Sequence, residues 1–343
     1  GFLHDGAVRL GIYDTEADRL VDLTPASLRV SAAALAPGRE HAVIVAAAND
    51  PLYRPENRLY LCDLRDIVIE PSAEAGAESG EAGAEAAESD EASTAALTDL
   101  SERSGLPVGY HSLPVFADDE TLLFGFADPA AHGLNSSPQI YRMSIASTAE
   151  ETVATRLTGE QTLRFGINSV GTDVRLGTPG GVPPVFHDGS LYLVATRRAD
   201  SLLLRIGLDG TVEELTAESG SVDAFDVAGG TVCMITMRDW RLPELSLLRD
   251  GREQRISTLN DTYFDEHRIA VPEHLSVSSN GDDLDAWVLL PPWLDVGSPP
   301  ARSIPAVLDI HGGPRTVYGN VFSHEMQVWA AAGFAVIYGN PHG

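Results

Sequence analysis

Ala306-Val307-Leu308-Asp309-Ile310-His311-Gly312-Gly313-Pro314 is the stretch on which the fold turns. Its first five residues are nearly all apolar, the pattern of a strand buried on both faces. Two glycines follow directly and let the backbone turn tightly where bulkier residues would obstruct it. Downstream, Phe322 to Ala332 reads as a helix closed by Gly333, and Phe334-Ala335-Val336-Ile337-Tyr338 as the next buried strand. Strand, helix and strand make a βαβ unit, so residues 263–343 are expected to open an α/β domain. Just upstream, Leu275-Ser276-Val277-Ser278, a turn at Asn280-Gly281, and Ala286-Trp287-Val288-Leu289-Leu290 predict a hairpin. The proline-rich run from Pro291 to Pro305 reads as loop.

Residues 1–262 follow a different grammar. An aliphatic residue followed by Ser or Thr closes each of several strand groups: Leu23-Thr24, Leu100-Ser101, Leu157-Thr158, Leu215-Thr216 and Ile256-Ser257. Before these lie internal strands at Leu59 to Leu64, Ile140 to Ile145, Leu204 to Leu208 and Leu245 to Leu248. Polar turns open a further strand in each group, as at Asp188-Gly189 before Leu191 and Gly229-Gly230 before Val232. With one insertion set aside, the spacing sits near the roughly 40–50 residue period of propeller blades. The expected fold is an all-β propeller, incomplete at about four to five of seven blades, followed by the first strands of an α/β-hydrolase domain. Closure of the ring, which leaves no strand edge unpaired, would need further blades upstream. A β-sandwich is the competing all-β reading.

The insertion, at about 71–95, is almost entirely Ala, Gly, Glu and Ser and holds no basic residue. It cannot bury enough apolar area to offset the entropy of ordering, so it reads as solvated chain. Over the whole sequence 50 acidic residues oppose 23 basic ones, a net charge of −27, and every basic residue is arginine. The absence of lysine excludes a Walker A loop and a Schiff-base lysine from this chain. The missing basic stripe argues against a nucleic-acid partner. Such self-repulsion is relieved by screening salt, which points to the cytoplasm of a halophilic, salt-in organism. No apolar run approaches the roughly 20 residues of a membrane helix, so no membrane partner is expected. The N-terminus, Gly1-Phe2-Leu3-His4-Asp5, lacks signal-peptide features and an initiator Met, which places the start upstream. Cys62 and Cys233 each sit in an apolar run without metal-ligand spacing and are expected to be two buried thiols.

The turn His311-Gly312-Gly313-Pro314 carries the chemistry. In α/β-hydrolases the loop after such a strand supplies one amide of the oxyanion hole. From Leu275 onward the sequence resembles the start of the catalytic domain of the prolyl oligopeptidase family of serine peptidases, in its acylaminoacyl-peptidase and dipeptidyl-peptidase-like branch. The matching residues are His311-Gly312-Gly313-Pro314, Phe322-Ser323-His324-Glu325, Ala331-Ala332-Gly333-Phe334-Ala335-Val336 and Asn340-Pro341-His342-Gly343, with His342 where the family usually has Arg. The resemblance implies that the Gly313 amide is one oxyanion donor, worth roughly 3–4 kcal/mol. Gly312 would supply turn geometry, and His311 would orient the loop rather than act as base. It also implies a Ser-Asp-His triad, a peptide as substrate, and a propeller that admits only small or unfolded peptides.

No Gly-x-Ser-x-Gly occurs in these 343 residues, so the triad is expected beyond Gly343, with this chain an inactive N-terminal portion of the parent enzyme. No cofactor and no metal are expected. His324-Glu325 lacks the second histidine of a zinc helix, since position 328 is Val, and Asn280-Gly281-Asp282-Asp283 lacks calcium-loop spacing. Self-association stays open. Two other readings stand beside the peptidase: a propeller binding or scaffold protein without catalysis, and a carboxylesterase-type hydrolase.

Overall fold

The computed structural model describes residues 8–16, 18–50, 56–65, 67, 96–133, 136–146, 153–159, 163–175, 182–216, 219–294, 303–313 and 316–342. The acidic stretch at 71–95, the first seven residues, Pro314, Arg315 and Gly343 lie outside them. The chain forms two compact units, Gly1–Leu157 and Thr158–Gly343.

In the first unit β1 (Gly11–Asp14) and β2 (Arg19–Asp22) pair as a short antiparallel ribbon. Next come β3 (Leu28–Leu35), β4 (His41–Ala48), β5 (Arg58–Asp63) and β6 (Leu97–Asp99), each hydrogen-bonded to the one before. A second meander holds β7 (Tyr110–Phe116), β8 (Thr121–Ala127), β9 (Gln139–Ser144) and β10 (Thr155–Arg156), with the single-turn helix α1 (Pro129–His132) between β8 and β9. Val43, Val45, Leu59, Leu122, Phe124 and Met143 share one core built from both meanders.

The second unit begins with a five-stranded sheet. Its members are β11 (Arg164–Phe165), β12 (Val185–His187), β13 (Ser190–Arg197), β14 (Asp200–Gly207) and β15 (Val212–Glu214). The meander β16 (Ser221–Ala228), β17 (Thr231–Met237), β18 (Glu244–Arg249) and β19 (Arg252–Arg255) follows. After helix α2 (Asp261–Glu266) the topology changes. Strands β20 (Glu273–Ser279), β21 (Asp282–Leu289), β22 (Ala306–Asp309) and β23 (Ala335–Gly339) form a sheet in the order β20-β21-β23-β22. Helix α3 (His324–Ala331) connects β22 to β23, and these two strands alone in the sheet run parallel. The β20–β21 turn has positive φ at both Asn280 (54°) and Gly281 (92°), as a two-residue type I′ hairpin requires.

The repeated aliphatic-hydroxyl pair has a physical meaning in this fold. In each group the aliphatic residue donates its N–H to the carbonyl of a residue in, or just before, the preceding strand. These bonds are Leu23 to Leu10 (2.7 Å), Leu100 to Leu59 (2.9 Å), Leu157 to Ile140 (2.8 Å), Leu215 to Leu203 (2.9 Å) and Ile256 to Leu245 (2.8 Å). The hydroxyl that follows accepts the N–H of the same partner: Thr24 from Leu10, Ser101 from Leu59, Thr216 from Leu203 and Ser257 from Leu245, at 2.8–3.0 Å. The pair is a clasp that closes the last strand of a sheet onto the one before.

Two expectations are corrected. β22 is not buried on both faces: Leu308 is 65% and Ile310 75% exposed. The register sets Leu308 beside Ile337, itself partly exposed, and Ile337 beside Val288 on β21. Helix α3 covers the opposite face, where Met326 and Ala330 pack with Trp287, Leu289, Val336 and Tyr338. Cys233 is likewise exposed, because β17 alternates and turns Val232 and Met234 inward instead. Cys62 is buried as expected, and burial pushes its thiol up to about 11. Among the described residues no helix is long and apolar enough to cross a membrane.

Candidate active-site loop

β22 is the third strand of its sheet in chain order, and His311, Gly312 and Gly313 leave its C-terminal end before the chain enters α3. A Cβ built on Gly312 would meet no atom within 4 Å, and the residue lies outside the left-handed backbone region. Neither crowding nor a positive φ therefore requires glycine at 312, contrary to the expectation that a bulkier residue would obstruct the turn there. The His311 ring donates from Nδ1 to the Gly312 carbonyl at 2.8 Å and stands edge-on to Tyr318, with ring centroids 4.9 Å apart. Its Nε2 is buried without a hydrogen-bond partner.

The return half of the loop is held from several sides. Tyr318 donates its N–H to Asn340 Oδ1 at 2.7 Å, and Asn340 Nδ2 donates back to the Tyr318 carbonyl at 2.9 Å. The Asn340 N–H donates to the Asp285 carbonyl at 2.8 Å, which pins this reciprocal clasp to β21. Burial, then a hydrogen bond with Asp309, holds the Tyr318 phenol well above the ordinary tyrosine range, so it stays protonated and donates to that carboxylate. Gly319 is required sterically: a Cβ there would lie 2.2 Å from the Ala199 carbonyl oxygen. Asn320 accepts from the buried Trp287 Nε1 at 3.2 Å and donates to Asp200 at 3.0 Å and Ser219 at 2.7 Å. Behind these contacts lies a cavity of about 650 Å³ lined by Arg198, Asp200, Trp240, His274, Asp285 and Asn320. Arg198 pairs with both carboxylate oxygens of Asp285 at 2.9 Å, and His274 Nε2 sits 3.0 Å from one of them. These polar pairs satisfy one another across the cavity wall.

The structure thus brings His311, Gly312 and the clasped Tyr318 together at the end of β22, with Gly313 on the solvent side of the turn. Asn340 belongs to the Asn340-Pro341-His342-Gly343 motif, and the clasp on Tyr318 gives it a role. Tyr318, Gly319 and Asn320 were not singled out from sequence. Their one signal is a run of turn-forming residues between a strand and a helix.

A turn of this type, after the third strand of a sheet and before that strand's helix, is where α/β-hydrolases place one oxyanion amide. No family model matches the sequence. In structure the chain is similar to Pyrococcus horikoshii acylaminoacyl peptidase, with a TM-score of 0.62 and 18% identity over 96% of this chain and 42% of that one. It is also similar to a Mycobacterium tuberculosis puromycin-hydrolyzing peptidase, with a TM-score of 0.58 and 17% identity over 94% and 43% of the two chains. An uncharacterized peptidase of Bacillus subtilis, YuxL, is 29% identical over 157 residues, 44% of this chain and 23% of that protein. The fold is therefore that of the corresponding part of prolyl-oligopeptidase-family peptidases, and the chain spans less than half the length of these relatives.

Proposed function

We propose that this chain is the N-terminal portion of a serine peptidase of the prolyl oligopeptidase type, comprising an incomplete β-propeller and the start of an α/β-hydrolase domain. The parent enzyme hydrolyses short peptides or peptide N-termini, acylated or free, and the propeller limits access to small or unfolded substrates. The observation that carries the reading is the placement of His311-Gly312-Gly313 between the third strand of the mixed sheet and helix α3. In this reading the Gly313 N–H meets the developing oxyanion, the His311 ring orients the turn, and Gly312 supplies its geometry. The second donor and the Ser-Asp-His triad belong to residues beyond 343, since no Gly-x-Ser-x-Gly occurs before them. The net charge of −27 without lysine supports a salt-rich cytoplasm as the setting.

One oxyanion amide without nucleophile or base forms no acyl-enzyme. The 343-residue chain is therefore expected to hydrolyse neither peptide nor acyl-amino-acid anilides. Turnover by this chain that a serine-directed phosphonate abolishes would overturn the assignment.

A further inference from the structure

Asp223 is a buried carboxylate far in sequence from the oxyanion turn. It lies where the β16–β17 register shifts between Val222 and Ala224, and such a bulge re-aims a side chain that regular pairing would point elsewhere. Its side chain is 6% exposed. Four donors converge on Oδ1: Ser221 Oγ at 2.8 Å, Asn168 Nδ2 at 2.9 Å, and Arg175 through Nε at 3.0 Å and Nη2 at 2.9 Å. Oδ2 is left without a partner. A buried acceptor left unmade costs stability, so local stability alone gives no reason for this arrangement.

The groups gathered by Asp223 fix one short segment. Arg175 Nη1 donates to the Val170 carbonyl at 2.6 Å, and Asn168 Oδ1 accepts the Val170 N–H at 3.1 Å. The outer side of that segment carries the return half of the oxyanion loop. Val317 donates to the Ser169 carbonyl at 2.9 Å, and Gly171 donates to the Val317 carbonyl at 2.8 Å. Thr172 Oγ1 donates to the Phe322 carbonyl at 2.6 Å. Asp173 accepts the His324 and Glu325 N–H groups at 2.7 Å each. Ser323, at the N-cap position, makes no capping bond of its own, so the first turn of α3 is capped from 151 residues away.

We propose that Asp223 is a positioning residue for the oxyanion loop: through Arg175 it fixes residues 169–173 as a strap on which that loop's return and the start of α3 are hung. The inference rests on the reading of Gly313 as an oxyanion donor. It adds that the β-sheet part of the chain sets where that amide points.

Amide exchange and amide order, read residue by residue on the 343-residue chain, test this. Asp223→Ala is expected to speed exchange at Val317, His324 and Glu325 about tenfold or more, with β17 and β18 amides within about twofold of wild type. The order parameter of the Gly313 amide should fall from the rigid range near roughly 0.85 toward about 0.6. Asp223→Asn keeps an acceptor for Ser221, Asn168 and Arg175 and should restore both readouts. If Asp223→Ala does not fold, Arg175→Lys decides, because it keeps a cation for Asp223 but cannot span to the Val170 carbonyl as well. Unchanged Gly313 order in the variant that folds would overturn the proposal, as would exchange rising equally throughout β17 and β18. Failure of a longer chain to react with a serine-directed phosphonate would end the peptidase reading instead, and would leave these amide readouts as they stand.

Discussion

The role proposed for Gly313 rests on its backbone N–H, so only proline, which lacks that hydrogen, removes it. In a longer chain carrying the triad, Gly313→Pro is expected to lower kcat by about 10²–10³, the cost of one lost oxyanion donor, with a smaller change in KM. Equal kcat would take Gly313 out of the site. Gly319 serves packing instead. A Cβ 2.2 Å from the Ala199 carbonyl must displace backbone, so Gly319→Ala should lower unfolding free energy by about 1–3 kcal/mol in a urea titration. Neither residue's surroundings can be read locally. Gly312 and Gly313 stand out as a pair after an apolar strand, whereas Gly319 owes its identity to Ala199, 120 positions earlier. Asp223 is hidden for the same reason, since a bulge inside an apolar strand leaves no periodic mark.

At the scale of the element, the clasps offer the sharpest test. Thr216 is buried and accepts the N–H of buried Leu203. Thr216→Val keeps the shape and strands that donor, at an expected cost of about 1–3 kcal/mol. Ser257→Ala frees the partly exposed Leu245 N–H, which water can reach, but also takes a donor from the buried Glu244 carboxylate, so its cost should be comparable. This pairing made the sheets legible: a hydroxyl one residue past an aliphatic is a local signal for a bond seen at Thr24, Ser101, Thr216 and Ser257. The β20–β21 turn and α3 were legible for similar reasons, one from Asn-Gly and the other from its closing glycine. Solvent exposure was less so. Leu308 and Cys233 both lie in apolar runs, and which face a neighbour covers is settled by tertiary packing.

His111, on β7, gives the first unit a pH signature. Its ring packs against Phe124 and Phe126 and donates from Nδ1 to the Asn57 carbonyl at 3.0 Å. Burial is the main cause that lowers its pKa to about 4. An unfolded chain would protonate it near roughly 6.5, so between these values the unfolded state binds the extra proton. Stability contributed by His111 is therefore complete above about pH 6.5 and is lost as pH falls toward about 4. Denaturant midpoints taken from pH 7 to pH 4.5 should show that slope, and His111→Phe should remove it. An unchanged slope in the variant would contradict the burial argument.

At the scale of the whole molecule, the β20–β23 sheet carries an apolar face and the sequence a large acidic excess. Leu275, Val277, Ile337 and Leu308 share that face by register, and all are more than a third exposed. Leu308→Ser with Ile337→Ser should reduce binding of a hydrophobic dye to this face. The net charge of −27 predicts that the unfolding midpoint rises as KCl goes from about 0.1 M to about 1 M, where the screening length shortens to about 3 Å. Full stability in dilute buffer would contradict the salt-in setting.

The central claim is that the turn at His311-Gly312-Gly313 serves a serine nucleophile encoded downstream. The direct measurement is to extend the reading frame past residue 343, express the longer chain, and map the adduct of a serine-directed phosphonate by mass spectrometry. The account predicts one modified serine, in a Gly-x-Ser-x-Gly followed in sequence by Asp and then His. A folded longer chain with no such serine and no adduct would contradict it, and would leave a β-sheet binding protein without catalysis.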